Sequence, residues 1–209
     1  MDKINPDIKA VVFDVGGVIE LSEGKGIWEQ IAELLNVPLD EFKKAYWAHN
    51  HLSNVENMKW EDMVVEVVKT FGKDKDMEEK VRKIVRAHDA AKTINTDLLK
   101  LFSNLRRSGI KVGILSNATS ELREKLREKG ITPLVDEIVV SGEIGYQKPH
   151  KEAFDVLFQR LGLKPKQVVF IDDSAKSLEK AEEIGYIPIL FKNNKQLKAD
   201  LKRIGVPLS

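Results

Sequence analysis

Residues 11–19 read Val-Val-Phe-Asp-Val-Gly-Gly-Val-Ile. The β-branched and aromatic run shows no polar alternation, which is the pattern of a strand buried on both faces of a parallel sheet. It stops at a carboxylate followed by two glycines, so the strand ends in a turn with a freed backbone. An acid at the end of a buried strand is costly unless something pairs with it. In open α/β sheets the carboxyl ends of the strands are also where ligands bind. Asp14 is therefore the first candidate reactive group, and every other site is judged by whether the topology brings it to Asp14.

After this strand, residues 20–26 are polar and read as a loop. Four amphipathic segments follow at 28–36, 39–48, 60–71 and 77–90, with apolar residues recurring at three and four, as in Met63, Val64, Val67, Val68 and Phe71. No strand-like run interrupts them, so 21–92 is a helical insert between the first and second strands. From residue 96 helix and strand alternate. Helices are expected at 96–107 (N-capped by Thr96), 119–129, 151–161, 174–184 and 194–204, and strands at 111–117, 137–140, 168–173 and 187–191. Alternation of this kind implies βαβ units with right-handed crossovers. The expected fold is α/β: a Rossmann-like parallel sheet of about five strands with helices on both faces, its core drawn from 1–20 and 93–209.

Charge narrows the partners. The chain carries 34 basic and 33 acidic residues, a formal net charge of +1, with the basic residues scattered. That gives no electrostatic case for nucleic acid or an anionic membrane surface. Without cysteine, disulfide and thiol chemistry are excluded. Residues 1–6 contain no apolar signal core and no apolar run approaches a membrane span, so a cytoplasmic protein is expected. The sequence leaves the oligomeric state open.

Three strands end in polar groups: Asp14, Ser116-Asn117 and Asp172-Asp173. A fourth polar group, Lys148, lies in the loop Gly145-Tyr146-Gln147-Lys148-Pro149. Parallel strands with right-handed crossovers place these ends on one edge of the sheet. Three carboxylates brought together repel one another, and a divalent cation resolves the repulsion. Oxygen ligands without His or Cys suit Mg²⁺, which accepts substrate phosphate oxygens. A lysine there neutralises both a nucleophilic carboxylate and a bound phosphate, and Ser116 and Asn117 can donate to phosphoryl oxygens. The parts add up to phosphoryl transfer from a small phosphorylated metabolite through an aspartyl-phosphate.

The same residues carry a resemblance. The segments DVGGV at Asp14, LSN at 115–117, GYQKP around Lys148 and FIDDS at Asp172-Asp173 resemble, in order, the four motifs of the haloacid dehalogenase superfamily. The insert at 21–92 is similar to the helical cap domain of that superfamily's phosphatase branch. The resemblance implies Asp14 as nucleophile, and a Mg²⁺ site made by Asp14, Asp172, Asp173 and the Gly16 carbonyl. It further implies phosphate binding at Ser116 and ordering of nucleophile and phosphate by Lys148. Gly17 and Asn117 join the expected substrate-binding set.

One departure bears on activity. Most phosphatases of the superfamily have a second aspartate two residues after the nucleophile, as general acid and base, whereas this chain has Gly16. Losing such a group costs about 10²- to 10⁴-fold. Three explanations follow: leaving groups that need little protonation, such as an anomeric sugar phosphate; a proton from the cap or from water; or a catalytically impaired phosphate-binding or regulatory protein. Members similar to glucose-1-phosphate phosphatases carry a comparable glycine. A dehalogenase is the alternative within the superfamily, but it needs no metal and leaves the doubled acid unexplained. A receiver domain has its acidic pair after the first strand, the reverse of the order here.

Each residue also has a plainer reading. Asp14 and Asp172-Asp173 could cap helices, Ser116-Asn117 could form a turn, and Lys148 could be a solvated lysine. Ser177 reads as exposed, and Tyr146 and Gln147 as loop packing. In the stretch Tyr46-Trp47-Ala48-His49-Asn50-His51, one reading is a helix end with a packed aromatic and two exposed histidines. The other is a substrate wall with His49 or His51 touching the substrate or supplying the proton. Residues two apart do not share a helix face, so the pair is no metal site. Trp28 and Trp60 read as packing residues of the insert.

Overall fold

The computed structural model describes residues 7–22, 24–72 and 74–208; the opening hexapeptide lies outside them. In chain order, β1 (Ala10–Phe13) and the short β2 (Glu20–Leu21) precede four helices: α1 (Ile27–Leu35), α2 (Leu39–Asn54), α3 (Trp60–Lys69) and α4 (Lys75–Ala90). After β3 (Thr93–Ile94) come α5 (Thr96–Arg107), β4 (Lys111–Ser116), α6 (Glu121–Glu128), β5 (Glu137–Val140), the single turn α7 (Ser141–Ile144) and α8 (Lys151–Leu161). The chain ends with β6 (Val168–Asp172), α9 (Ala175–Leu178), α10 (Ala181–Ile184), β7 (Ile187–Leu190) and α11 (Asn194–Arg203). Among the described residues no helix is long and apolar enough to cross a membrane.

The sheet order is β5-β4-β1-β6-β7, with every pairing parallel. Central β1 is buried on both faces, which is why its sequence is a continuous apolar run. Val11 and Phe13 point into one core layer with Phe102 of α5 and Leu197 of α11. Ala10 and Val12 point into the other, with Phe154 and Leu157 of α8. This is the α/β architecture expected, with five strands and helices on both faces.

Helices α1 to α4 have a core of their own, built on Ile31, Leu35, Phe42, Met63, Val64, Val67, Val68 and Val81. Trp28 and Trp60 pack against it; the Trp28 ring lies 4.1 Å from Tyr46 and 6.2 Å from Trp60. Chain entry and exit are joined by an antiparallel ribbon in which Glu20 pairs with Ile94 and Leu21 with Thr93. Two-residue strands are too short to show alternation, so this ribbon was hidden in an expected loop.

Four local expectations change. Helix α2 continues past residue 48 to Asn54. The cap of α5 is Asn95, not Thr96: its side chain accepts from the Leu98 amide at 3.3 Å, and its Nδ2 donates to the Val18 carbonyl at 3.0 Å. Helix α6 starts at Glu121, because the Ser120 amide is taken by Asn57 Oδ1 at 2.7 Å. The expected helix at 174–184 is two single turns, α9 and α10.

Candidate active site

Register decides what meets Asp14. Phe13 pairs with Ile114 on one side and Ile171 on the other, so the next residue of β1 emerges between the ends of β4 and β6. The Asp14 amide donates to the Ile171 carbonyl at 2.9 Å. Carboxylate oxygens of Asp14, Asp172 and Asp173 all lie within 4.8 Å of one another. Ser116, at the end of β4, is buried on the other flank.

Lys148 reaches this cluster from the loop after α7 and is almost wholly buried. Its Nζ donates to Asp172 Oδ2 at 2.6 Å and stands 2.9 Å from Asp14 Oδ1. Burial works to discharge the ammonium, but the Asp14 and Asp172 carboxylates outweigh it and hold its pKa above the ordinary lysine value. Asn117 fixes the loop: its Oδ1 accepts from the Lys148 amide at 2.8 Å and its Nδ2 donates to the Lys148 carbonyl at 3.0 Å. Both ends of the amide expected to bind substrate are thus engaged with the backbone that carries the lysine.

Burial, followed by the nearby Asp14 and Asp172 charges, pushes the Asp173 pKa up to about 6, although its side chain opens to the cleft. Burial also raises Asp172, against the Lys148 ammonium; its Oδ1 accepts from the Ser174 amide at 2.8 Å. One lysine therefore faces three carboxylates. Asp14 Oδ1 is buried, with the ammonium beside it but no aligned hydrogen-bond donor among the described residues. An orphaned buried oxygen amid crowded, all-oxygen donors fits a hard divalent cation such as Mg²⁺.

The two glycines differ in what they permit. Gly17 has φ +71°, and a Cβ there would lie 2.1 Å from Asp173 Oδ2. Gly17→Ala is therefore expected to displace Asp173 and strain the turn, lowering Tm by roughly 2–8 °C in thermal melts. Calorimetry should show weaker Mg²⁺ binding in the same variant. At Gly16 a Cβ would meet nothing within 4 Å.

Two adjoining cavities lie between the sheet edge and the helical insert. One, of about 480 Å³, holds Asp14, Lys148, Asp172 and Asp173 and is closed from the insert side by Tyr46, Trp47, Asn50 and Asn54. The other, of about 200 Å³, touches Gly16, Ser116 and Asn117. His49 and His51 line neither. Their Nδ1 atoms bond back to the Ala45 and Ala48 carbonyls at 2.8 and 3.1 Å; His51 is exposed and His49 half-buried, and both lie within α2 rather than at its end. The face of α2 turned to the cleft carries residues 46, 50 and 54, spaced by four, and 49 and 51 fall off it. Asn54 Nδ2 donates to Gln147 Oε1 at 3.0 Å, tying insert to core beside the lysine. Ser177, expected to be merely exposed, lines the larger cavity. Lys176 sits 5.5 Å over the Trp47 ring.

A phosphatase of Mycobacterium tuberculosis is 26% identical over 96% of this chain and 97% of its own length. The glyceraldehyde 3-phosphate phosphatase of Methanocaldococcus jannaschii is 34% identical over 44% of this chain and 41% of its own, so the match spans about two fifths of that relative. Among solved structures, a Bacteroides thetaiotaomicron enzyme of the haloacid dehalogenase family, in complex with magnesium and inorganic phosphate, has a TM-score of 0.65. It is 21% identical, over 91% of this chain and 98% of that one. The sequence profile of the haloacid dehalogenase-like hydrolases matches residues 8–185, and the chain belongs to that family.

Proposed function

We propose that the protein is a Mg²⁺-dependent phosphomonoester hydrolase acting on a small phosphorylated metabolite through an aspartyl-phosphate at Asp14. The observation that carries this reading is the meeting of Asp14, Asp172 and Asp173 around a single buried lysine. The phosphatase names of its relatives and the magnesium and phosphate bound by the Bacteroides enzyme support it.

Asp14, Asp172, Asp173 and the Gly16 carbonyl would hold the cation, which supplies positive charge to the phosphoryl oxygens as they approach the acids. A carboxylate oxygen of Asp14 attacks phosphorus, the ester bond breaks, and the leaving oxygen takes a proton. Water then attacks the same phosphorus, releasing inorganic phosphate and restoring the Asp14 carboxylate. Lys148 neutralises nucleophile and phosphoryl group in turn. Ser116 donates to the phosphoryl oxygens. Asn117 is a positioning residue that holds the lysine loop, and the four helices serve as a cap. With glycine at 16, the leaving oxygen takes its proton from water in the open cleft.

A dehalogenase would leave Asp173 without a task. The test is turnover of sugar phosphates and an aryl phosphate with Mg²⁺, followed by chelation: hydrolysis that chelator abolishes is expected, and no turnover on any phosphate ester overturns the reading. Gly16→Asp, for which there is space, should raise kcat for alkyl esters by about 10²-fold or more and for aryl phosphate far less. An equal rise for both would argue against a missing acid.

A further inference from the structure

The smaller cavity has chemistry that phosphoryl transfer does not use. It opens beside Gly16 and Ser116, and its wall carries Lys92, Lys125 and Lys129 with Glu20 and Asp89. These charges come from both sides of the cleft: Lys125 lies on α6, Lys129 just after it, Asp89 on α4, and Glu20 and Lys92 at the ribbon. Asp89 accepts from Lys92 and Lys125, each at 2.8 Å. Glu20, almost wholly buried, accepts from Lys129 at 2.5 Å and lies 4.0 Å from Lys92. Burial opposes ionisation of Asp89, yet the two lysines hold its pKa down at about 2. In this wall three lysines face two carboxylates.

A latch between cap and core would need only matched pairs. The third lysine and the open volume are what a latch does not need. A cavity of about 200 Å³ has room for roughly six or seven waters at ~30 Å³ each, which is the bulk of a short acid chain. A surplus cation in a confined, half-buried wall selects an anion.

We infer that this lysine-lined cavity binds a second anionic group of the substrate, so that the favoured substrates are short phosphomonoesters bearing a carboxylate or a second phosphate. The inference rests on the phosphatase reading for its substrate side. The lysines meet the distal anion while Asp14 meets the phosphoryl group, so the two ends fix the ester bond between them.

Three esters of one carbon skeleton separate the sources of the anion: glycerol 3-phosphate, 3-phosphoglycerate and glycerol 1,3-bisphosphate. With Mg²⁺, at least one of the two doubly anionic esters is expected to exceed glycerol 3-phosphate in kcat/KM by about 10- to 100-fold, chiefly through KM. The double variant K125Q/K129Q should cut that ratio by about tenfold or more, and Asp89→Asn, which removes a competing carboxylate, should raise it. A latch alone predicts that Asp89→Asn weakens all three esters alike. Calorimetric titration of the three esters into the Asp14→Asn protein reads the same order without turnover. Equal binding of the three, or a ratio that K125Q/K129Q leaves in place, overturns the inference. The binding order together with no hydrolysis of any ester by the native protein would sink the phosphatase reading and keep the subsite.

Discussion

Asparagine at position 14 is expected to abolish phosphomonoester hydrolysis, by about 10⁴-fold or more, while raising the melting temperature of the metal-free protein. On the proposed mechanism the rate falls because Asp14 is the attacking group; removing one member of a covalent catalytic unit costs on that order. Stability rises for the opposite reason. The Asp14 carboxylate adds to the repulsion that pushes up both Asp172 and Asp173. The amide keeps the shape and relieves repulsion from two carboxylates, against the loss of one attraction to Lys148, for a net gain of roughly 0.5–2 kcal/mol, or about 1–8 °C in Tm for a chain of this size. Saturating Mg²⁺ should narrow the advantage, because the native protein then gains a ligand that the variant lacks. Melts in chelator and in Mg²⁺, run beside a steady-state assay, check both halves. Turnover within tenfold of native would remove Asp14 from the nucleophile's role.

Lys148→Met is expected to damage both rate and stability. The methionine stem retains much of the apolar bulk, but three carboxylates are left without their cation. Breaking a buried ion pair from one side costs about 3–5 kcal/mol, here roughly 6–20 °C in Tm, and loss of the charge beside the phosphoryl group should slow turnover about 10²- to 10³-fold. Mg²⁺ should recover part of the melting temperature and little of the rate. Adding Asp14→Asn should also recover stability, since it removes one of the acids Lys148 had neutralised, and the two variants should be non-additive. Additive melting shifts would mean that the lysine and the nucleophile do not share a charge balance.

The core of the site was legible because strand ends advertise themselves. A buried β-branched run that stops at Asp14, Ser116 or Asp172 has both its position and its edge fixed by the handedness of the crossovers. Lys148 needed its loop context, and its clamp by Asn117 could not be read, since either residue alone looks like part of a turn. That His49 and His51 line neither cavity could not be read, because the cleft-facing side of α2 is set by what packs behind it, Trp28 against Tyr46, and not by the residue types along it. The lysine-walled cavity gave no local signal at all. Its charges sit at positions 20, 89, 92, 125 and 129 and each, taken singly, is an ordinary surface charge. Only the tertiary fold sums them.

The ribbon of β2 and β3 has a consequence for how such a chain can change. Because Glu20 lies opposite Ile94, the polypeptide departs from the sheet and returns to it at a single port. Whatever is spliced in at that port leaves the strand register untouched, and closing a longer excursion is cheap, about 0.6 kcal/mol for each doubling of length. The polar groups at the strand tips can therefore stay in place while the whole excursion between Leu21 and Thr93 is exchanged.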